Sequence, residues 1–153
     1  MPGNCTDLVE ELNRLMAEEA EACLRYFQMR FRLRGRGRPA AEKFFEEALK
    51  ETLEHADAIA KQIRSLGHIP TLHIDLSLNG GPMRPEEALA EALDVEQQAL
   101  DAYQQFLPRA TGHPALEDFI RKQIGLETEH VQEILKVVRA AAAPLKLVAK
   151  TTA

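Results

Sequence analysis

Apolar side chains recur at steps of three and four along four long segments of this chain. The four stripes are Leu8, Leu12, Leu15 and Cys23; Phe45, Ala48, Ile59, Ile63 and Leu66; Leu89, Leu93, Leu100 and Leu107; and Leu116, Ile120, Ile124, Val131, Ile134 and Val138. Residues at these spacings share one face of an α-helix. The pattern therefore predicts an all-α protein in which four helices each bury one stripe.

Proline and glycine indicate where the helices begin and end. The predicted helices cover about 6–34, 39–66, 85–108 and 114–142, followed by a tail at 144–153. Pro39, Pro85 and Pro114 suit the first turn of a helix, where a backbone N–H is not needed. Helices of this length are roughly 38 Å long, which is typical of a four-helix bundle. We expect residues 1–153 to form a single domain of this kind.

The lengths of the connections predict how the helices are arranged. Short turns join the first helix to the second and the third to the fourth, so each pair should be antiparallel. The connection from Gly67 to Pro85 is long enough to run along the bundle. This long crossover between helices two and three makes them parallel and relates the two helix pairs by approximate internal symmetry.

The composition is that of a globular protein and excludes several classes. Hydrophobic residues make up 45% and charged residues 28% of the 153 positions, and the net charge is −5. No apolar run reaches the length of about 18 residues that suggests a membrane span, and the N-terminus lacks a signal-peptide pattern. Cys5 and Cys23 form neither a disulfide framework nor a zinc motif. We therefore expect a cytoplasmic protein without a membrane partner.

Ionisable side chains interrupt the apolar stripes at repeated positions. The set on these stripes is Glu19, Tyr26, His55, Glu96, Tyr103, Glu127 and His130. The Glu–Tyr pair recurs after 77 residues, and the histidine recurs after 75. The repeat predicts a polar centre with approximate two-fold symmetry in the middle of the bundle.

Carboxylates and imidazoles that are buried together need a compensating charge. A carboxylate buried without a partner takes up a proton or destabilises the fold. A bound cation removes this conflict, and the spacing of Glu127 and His130 lets both reach one ion. Carboxylate and imidazole ligands suit iron or manganese, while the absence of cysteine argues against structural zinc. The alternative is that these are isolated polar residues, each satisfied locally in the core.

Three stretches of the chain resemble a known family. They are Leu12-Asn13-Arg14-Leu15-Met16-Ala17-Glu18-Glu19 with Tyr26-Phe27; Glu54-His55-Ala56-Asp57 with Leu66-Gly67-His68-Ile69-Pro70-Thr71-Leu72; and Glu127-Thr128-Glu129-His130. They resemble the motifs of bacterioferritins, over roughly residues 8–140. The chain is thus identified as a bacterioferritin-like member of the ferritin-like superfamily, whose fold is a four-helix bundle with a crossover.

The resemblance implies a di-iron centre that oxidises Fe(II) with oxygen or peroxide, and a hollow shell that stores the ferric mineral. Its ligands, carried over by position, are Glu19 and His55 for one iron, Glu96 and His130 for the other, and Glu127 as a bridge. Tyr26 matches a tyrosine beside the centre that is a plausible electron donor. The implied activity is that of a ferroxidase.

The sequence departs from the family at the second bridging ligand. Thr52 stands where a carboxylate is expected, and threonine is a neutral, weak ligand. Two interpretations stay open. Either Glu51, which shares a face with His55, leans in as a substitute, or Glu51 and Glu54 are surface or flank residues and the site is asymmetric or holds one iron well. The residues favour the second interpretation.

Two further departures concern haem and the shell. Leu53 matches the methionine that ligates haem in bacterioferritins, so we expect no haem by that route. Residues 140–153 match the family's fifth helix poorly, which argues against a complete 24-subunit cage. We expect a homo-oligomer, at least a dimer. The arginines between Arg25 and Arg38 should be solvated and paired with glutamates, so nucleic acid is not an expected partner.

Three functions remain in competition. The first is an iron-binding, ferritin-like protein that acts as a ferroxidase for iron storage or detoxification, with Fe(II) and oxygen or peroxide as its partners. The second is a di-metal protein that consumes peroxide. The third is a degenerate bundle that serves as a binding or structural protein, because Thr52 has removed catalysis.

Overall fold

Four α-helices make up the fold in the computed structural model, which describes residues 5–142. They are α1 (Cys5–Arg32), α2 (Arg38–Ser65), α3 (Pro85–Phe106) and α4 (Pro114–Ala142). No β-strand forms within residues 5–142. The predicted all-α four-helix bundle is therefore confirmed. The predicted tail, and with it the comparison with a fifth helix, lies outside the described residues.

The helix ends differ from the predicted ones by a few residues, for local reasons. α2 begins at Arg38, directly after Gly37, whose φ of 86° turns the chain into the helix. α3 ends at Phe106, because Pro108 lacks the N–H that a continuing α-helix requires. A short 3₁₀ helix, Leu107–Ala110, completes that segment.

Backbone contacts at one end of the bundle establish the crossover. α1 packs along α2, and α3 packs along α4. Leu33 forms an isolated parallel bridge with Met83, in which the Arg34 N–H donates to the Met83 carbonyl at 2.9 Å. Gly37 lies beside Pro85, since a Cβ on Gly37 would be 4.0 Å from the Pro85 Cγ. α2 and α3 therefore begin at the same end and run parallel, as predicted.

Two apolar clusters fill the bundle, and a polar layer separates them. One cluster includes Leu12, Ile59 and Ile120, and the other includes Met29 and Phe45. The buried polar side chains come from the helix segments between the clusters: Glu19, Thr52, His55, Glu96, Gln123 and Glu127. Burying each large apolar side chain contributes about 1.5–3 kcal/mol. The clusters thus fix the helix register that brings the polar residues together.

Candidate metal centre

Glu127 lies at the middle of the polar layer, between two histidines. Its Oε1 is 2.9 Å from the His55 Nδ1, and its Oε2 is 3.7 Å from the His130 Nδ1. The two imidazole rings are nearly parallel, with an interplanar angle of 13° and centroids 5.6 Å apart. His55, Glu127 and His130 each offer a ligand atom, and these atoms all lie within 4.8 Å of one another.

Glu19 and Glu96 extend the centre on opposite sides. The Glu19 Oε1 is 3.7 Å from the His55 Nδ1, and the Glu96 Oε2 is 3.8 Å from the His130 Nδ1. Each histidine therefore faces Glu127 and one further glutamate. The structure brings together all five predicted ligands, in two halves that Glu127 joins.

Two buried tyrosines hold these outer glutamates in place. The Tyr103 hydroxyl donates to the Glu19 Oε1 at 2.6 Å, and the Tyr26 hydroxyl donates to the Glu96 Oε1 at 2.7 Å. The sequence repeat places each tyrosine seven residues after a glutamate on its own helix. The hydrogen bonds instead link α1 with α3, because residues seven apart are roughly 10 Å apart along one helix.

The neighbourhood of Thr52 differs from that of the ligands. Thr52 is buried, and its hydroxyl donates to the Ala48 carbonyl at 2.6 Å, one turn back on α2. Glu51 leaves α2 on the other side, and its Oε2 is 3.1 Å from the His130 Nε2. Its side chain is 54% exposed. Glu51 thus reaches the histidine of α4, although its i+4 neighbour on α2 is His55.

The electrostatics of the centre are those of a buried anion between two cations. Glu127 is 0% exposed, and among the described residues neither of its carboxylate oxygens has a well-formed hydrogen bond. Burial opposes its charge, but His130 and His55 lower its pKa to about 2. Glu127 and Glu96 raise the pKa of His130 to about 10. Burial opposes the charge of His55, but Glu127 and Glu19 raise its pKa to about 10.

The outer glutamates show the opposite shift. Burial raises the pKa of Glu96 to about 7, although His130 partly opposes the rise. Burial also raises the pKa of Glu19, with the charge of Glu127 acting in the same direction. Three carboxylates and two imidazoles therefore share a small volume, in which protons on the imidazoles and on the outer glutamates balance part of the negative charge. This donor set fits iron or manganese.

Sequence reasoning missed one buried polar residue of the layer. Gln123 is 4% exposed, and its Oε1 has no hydrogen-bond partner among the described residues. It lies one turn before Glu127 on the same face of α4. A glutamine at that spacing, inside an apolar stripe, was the available signal.

Other sequence features lie away from the centre. The Cys23 Sγ is 3.7 Å from the Leu49 carbonyl oxygen, between α1 and α2. Three of the arginines are used within the molecule: Arg32 donates to the Gly81 carbonyl, Arg34 to the Leu33 carbonyl, and Arg38 pairs with Glu42. None of the helices described between residues 5 and 142 is long and apolar enough to cross a membrane.

The family follows from the chain as a whole. The ferritin-like domain family matches residues 9–142, which include every residue of the centre. The chain therefore belongs to that family, and the predicted membership of the ferritin-like superfamily is confirmed. Among curated proteins, none matches the sequence.

Solved structures agree with this fold. A protein described as ferritin-like and diiron-carboxylate, from Bacillus anthracis str. Ames, is 24% identical and has a TM-score of 0.77, over 90% of this chain and 99% of that one. A dodecameric thioferritin from Bacteroides fragilis, described as bacterioferritin-related, is 22% identical, with a TM-score of 0.79 over 91% and 88%. Dps from Staphylococcus aureus is 18% identical, with a TM-score of 0.78 over 87% and 95%.

Proposed function

We propose that this protein binds Fe(II) inside its helix bundle and oxidises it with oxygen or peroxide, for iron storage or detoxification. Glu127 carries the proposal. Its fully buried carboxylate lies between two imidazoles, and this donor set lets a divalent cation take the place of the protons that the histidines hold in the metal-free protein. The Bacillus anthracis protein of the same fold, which is described as diiron-carboxylate, supports iron as that cation.

Each side chain of the centre has a role in this proposal. Glu19 and His55 hold one Fe(II), Glu96 and His130 hold the other, and Glu127 bridges them. Each Fe(II) gives up one electron, so two of them, with two protons from solvent, reduce one hydrogen peroxide to two water molecules or one oxygen molecule to hydrogen peroxide. Tyr26 and Tyr103 orient Glu96 and Glu19, and Tyr26 is the proposed electron donor beside the centre. Mn(II) fits the same donors.

Glu51 supplies the carboxylate that Thr52 lacks. With Glu51 the centre holds four carboxylates, whose charge equals that of two divalent cations. Its contact with the His130 Nε2, the ring nitrogen other than the Nδ1 that faces Glu96 and Glu127, supports a position at the edge of the half of the site that contains Glu96. Because its side chain is half exposed, it is a weaker ligand than the buried glutamates, and the two halves bind metal unequally.

An anaerobic titration followed by oxidation tests this proposal. The wild-type chain should bind up to two Fe(II), the first more tightly than the second. Glu127→Gln should abolish both, because it removes the bridging charge. Glu51→Gln should weaken the second Fe(II) by at least tenfold, whereas Glu54→Gln, an exposed neighbour, should change neither.

The oxidation step separates the competing functions. Ferric absorbance that grows with each added Fe(II) supports iron oxidation and storage. Fast peroxide consumption without ferric accumulation would favour a peroxide-consuming protein. A wild-type chain that binds no Fe(II) would leave only a binding or structural role.

In the proposed function the protein acts as a homo-oligomer. Leu24, Phe27 and Phe31 lie on one exposed face of α1, and Leu53 is exposed on the adjoining helix α2. Such apolar side chains on a pair of packed helices suit a contact with a second copy of the chain. The Bacteroides fragilis relative is described as dodecameric, which supports assembly.

A further inference from the structure

A cavity lies between the second half of α1 and the end of the crossover connection. Its volume is about 260 Å³, and none of the proposed metal ligands lines it. The residues from α1 stand at steps of three and four, so they share one face of that helix. Polar side chains from three elements line the cavity: Arg25, Gln28 and Arg32 from α1, Ser77 and Asn79 from the connection, and Glu91 from α3.

The two arginines of this cavity differ from other arginines of the molecule in their partners. Arg38, Arg84 and Arg121 each pair with a carboxylate, at 2.6, 3.8 and 3.2 Å. Among the residues that the structure describes, no carboxylate forms an ion pair with Arg25 or Arg32, and both side chains are half-buried. A half-buried charge without a partner is costly, so an anion in the cavity would stabilise both guanidinium groups.

Hydrogen bonds to Gly81 determine which atoms of the lining remain available to a ligand. The Arg32 Nε–H donates to the Gly81 carbonyl at 2.7 Å, and the Asn79 Oδ1 accepts the Gly81 N–H at 3.0 Å. The groups that these two side chains have left are therefore mainly N–H donors, because a guanidinium has no acceptor and the Asn79 oxygen is already occupied. Arg25 adds a second guanidinium to the lining. This surplus of donors suits a negatively charged ligand with several acceptor atoms.

We propose that the cavity binds a tetrahedral oxyanion of the size of inorganic phosphate. Arg25 and Arg32 supply the charge, while the Asn79 amide and the Ser77 hydroxyl supply neutral hydrogen bonds. The volume is below the roughly 300–1,000 Å³ of pockets for larger organic ligands, which favours an ion. The site does not depend on the proposed iron chemistry, because it shares no residue with the metal centre.

Isothermal titration calorimetry of the full-length, metal-free chain with inorganic phosphate, at constant ionic strength, tests this site. The wild type should bind one phosphate per chain. Asn79→Asp keeps an oxygen that can accept the Gly81 N–H but adds a negative charge to the cavity, so it should abolish binding. Arg25→Gln should weaken binding by about tenfold or more, because it removes a charge-assisted contact.

Two further variants should behave differently from these. Glu91→Gln should strengthen phosphate binding, because it removes the one carboxylate of the lining. Arg64→Gln is the matched control for Arg25→Gln, since Arg64 is exposed near the end of α2, at the opposite end of the bundle. It should bind phosphate as the wild type does. Circular dichroism checks that each variant keeps its helices.

Glycerol phosphate, titrated in the same way, distinguishes the two sources of the phosphate group. Tighter binding of glycerol phosphate than of phosphate would support an oxyanion site for a small ester, and binding of phosphate alone would support a site for the free ion. The site would be overturned if the wild type showed no saturable phosphate binding. Equal loss of binding in Arg25→Gln and Arg64→Gln would overturn it as well, and so would weaker binding by Glu91→Gln.

Discussion

At the residue scale, two hydrogen bonds between α1 and α3 determine how the outer glutamates stand. Tyr103 belongs to one apolar cluster and Tyr26 to the other, so each packed cluster aims one hydroxyl into the polar layer. Hydrogen bonds to an ionised acceptor are stronger than neutral ones. The tyrosines therefore do more than fill the core, because they orient Glu19 and Glu96 towards the histidines.

Replacing either tyrosine should destabilise the fold. Tyr26→Phe and Tyr103→Phe each leave a buried carboxylate without its donor, at a cost of about 1–3 kcal/mol in the free energy of unfolding. Urea denaturation of the metal-free protein measures the change. If both variants retained wild-type stability, the tyrosines would not be supporting the glutamates.

The histidines make the stability of the metal-free protein depend on pH. The pKa values of His55 and His130 are raised to about 10, above an ordinary value of 6.5. Their contribution is therefore complete below pH 6.5 and is lost as the pH rises through 10. The raised pKa of Glu96, about 7, acts in the same direction at lower pH.

We expect the free energy of unfolding of the metal-free protein to fall steadily between pH 6.5 and 10. His55→Gln should reduce that slope, while His113→Gln, in the turn before α4, should leave it unchanged. Binding of a divalent cation should release protons and strengthen over the same range, because the ligands must be deprotonated. A flat stability profile in the wild type would contradict the charged pairing of the histidines with Glu127.

Among the helices, α4 combines the proposed metal-binding face with a glycine in its interior. Glu127 and His130 are three apart and share one side of the helix. Gly125, two residues earlier, is exposed, and a Cβ there would meet no atom within 4 Å. Neither close helix approach nor a left-handed backbone explains this glycine, and nothing else in the structure does.

Gly125→Ala should stabilise the protein by about 0.5–1 kcal/mol, since alanine loses less backbone entropy in a helix. Thermal unfolding measures this, and Fe(II) binding should not change. Gly112→Ala is the matched control. It should destabilise the protein, because Gly112 has a φ of 93°, which alanine rarely adopts. Destabilisation by Gly125→Ala would mean that the absence of a side chain serves the centre.

In the molecule as a whole, the crossover determines which segments of the four helices lie level with one another. The parallel course of α2 and α3 makes α1 antiparallel to α3 and α2 antiparallel to α4. In that arrangement Glu19 lies level with Tyr103, and Tyr26 lies level with Glu96. The same arrangement leaves the apolar side chains of α1 and α2 on the outside, where the proposed dimer forms.

Assembly through this outer face is directly testable. Leu53→Glu places a charge among the exposed apolar side chains of α1 and α2, so it should dissociate the dimer while the bundle stays folded. Light scattering gives the molar mass, and circular dichroism checks the helices. Leu72→Glu, in the crossover connection, is a control for surface charge. An unchanged mass in Leu53→Glu would place the interface elsewhere.

The sequence by itself determined the four helices, their order and the crossover. Four helices that each carry one apolar stripe can bury those stripes in few arrangements. The length of each connection then determines whether the helices that it joins run parallel or antiparallel. The sequence also identified the ligand candidates, since ionisable residues inside such stripes are costly without a partner. The one signal for Gln123 was its place in the apolar stripe one turn before Glu127, and a single glutamine is a weaker signal than the repeated ionisable residues.

Which of the ligand candidates are in contact with one another follows from the tertiary structure alone. The repeat gives only the spacing of glutamate and tyrosine along one helix, and helix register pairs Glu19 with Tyr103 and Glu96 with Tyr26. The direction of Glu51, towards His130, depends on how α2 and α4 pack. Spacing along one helix is fixed by local geometry, whereas contacts between helices depend on how the two apolar clusters pack.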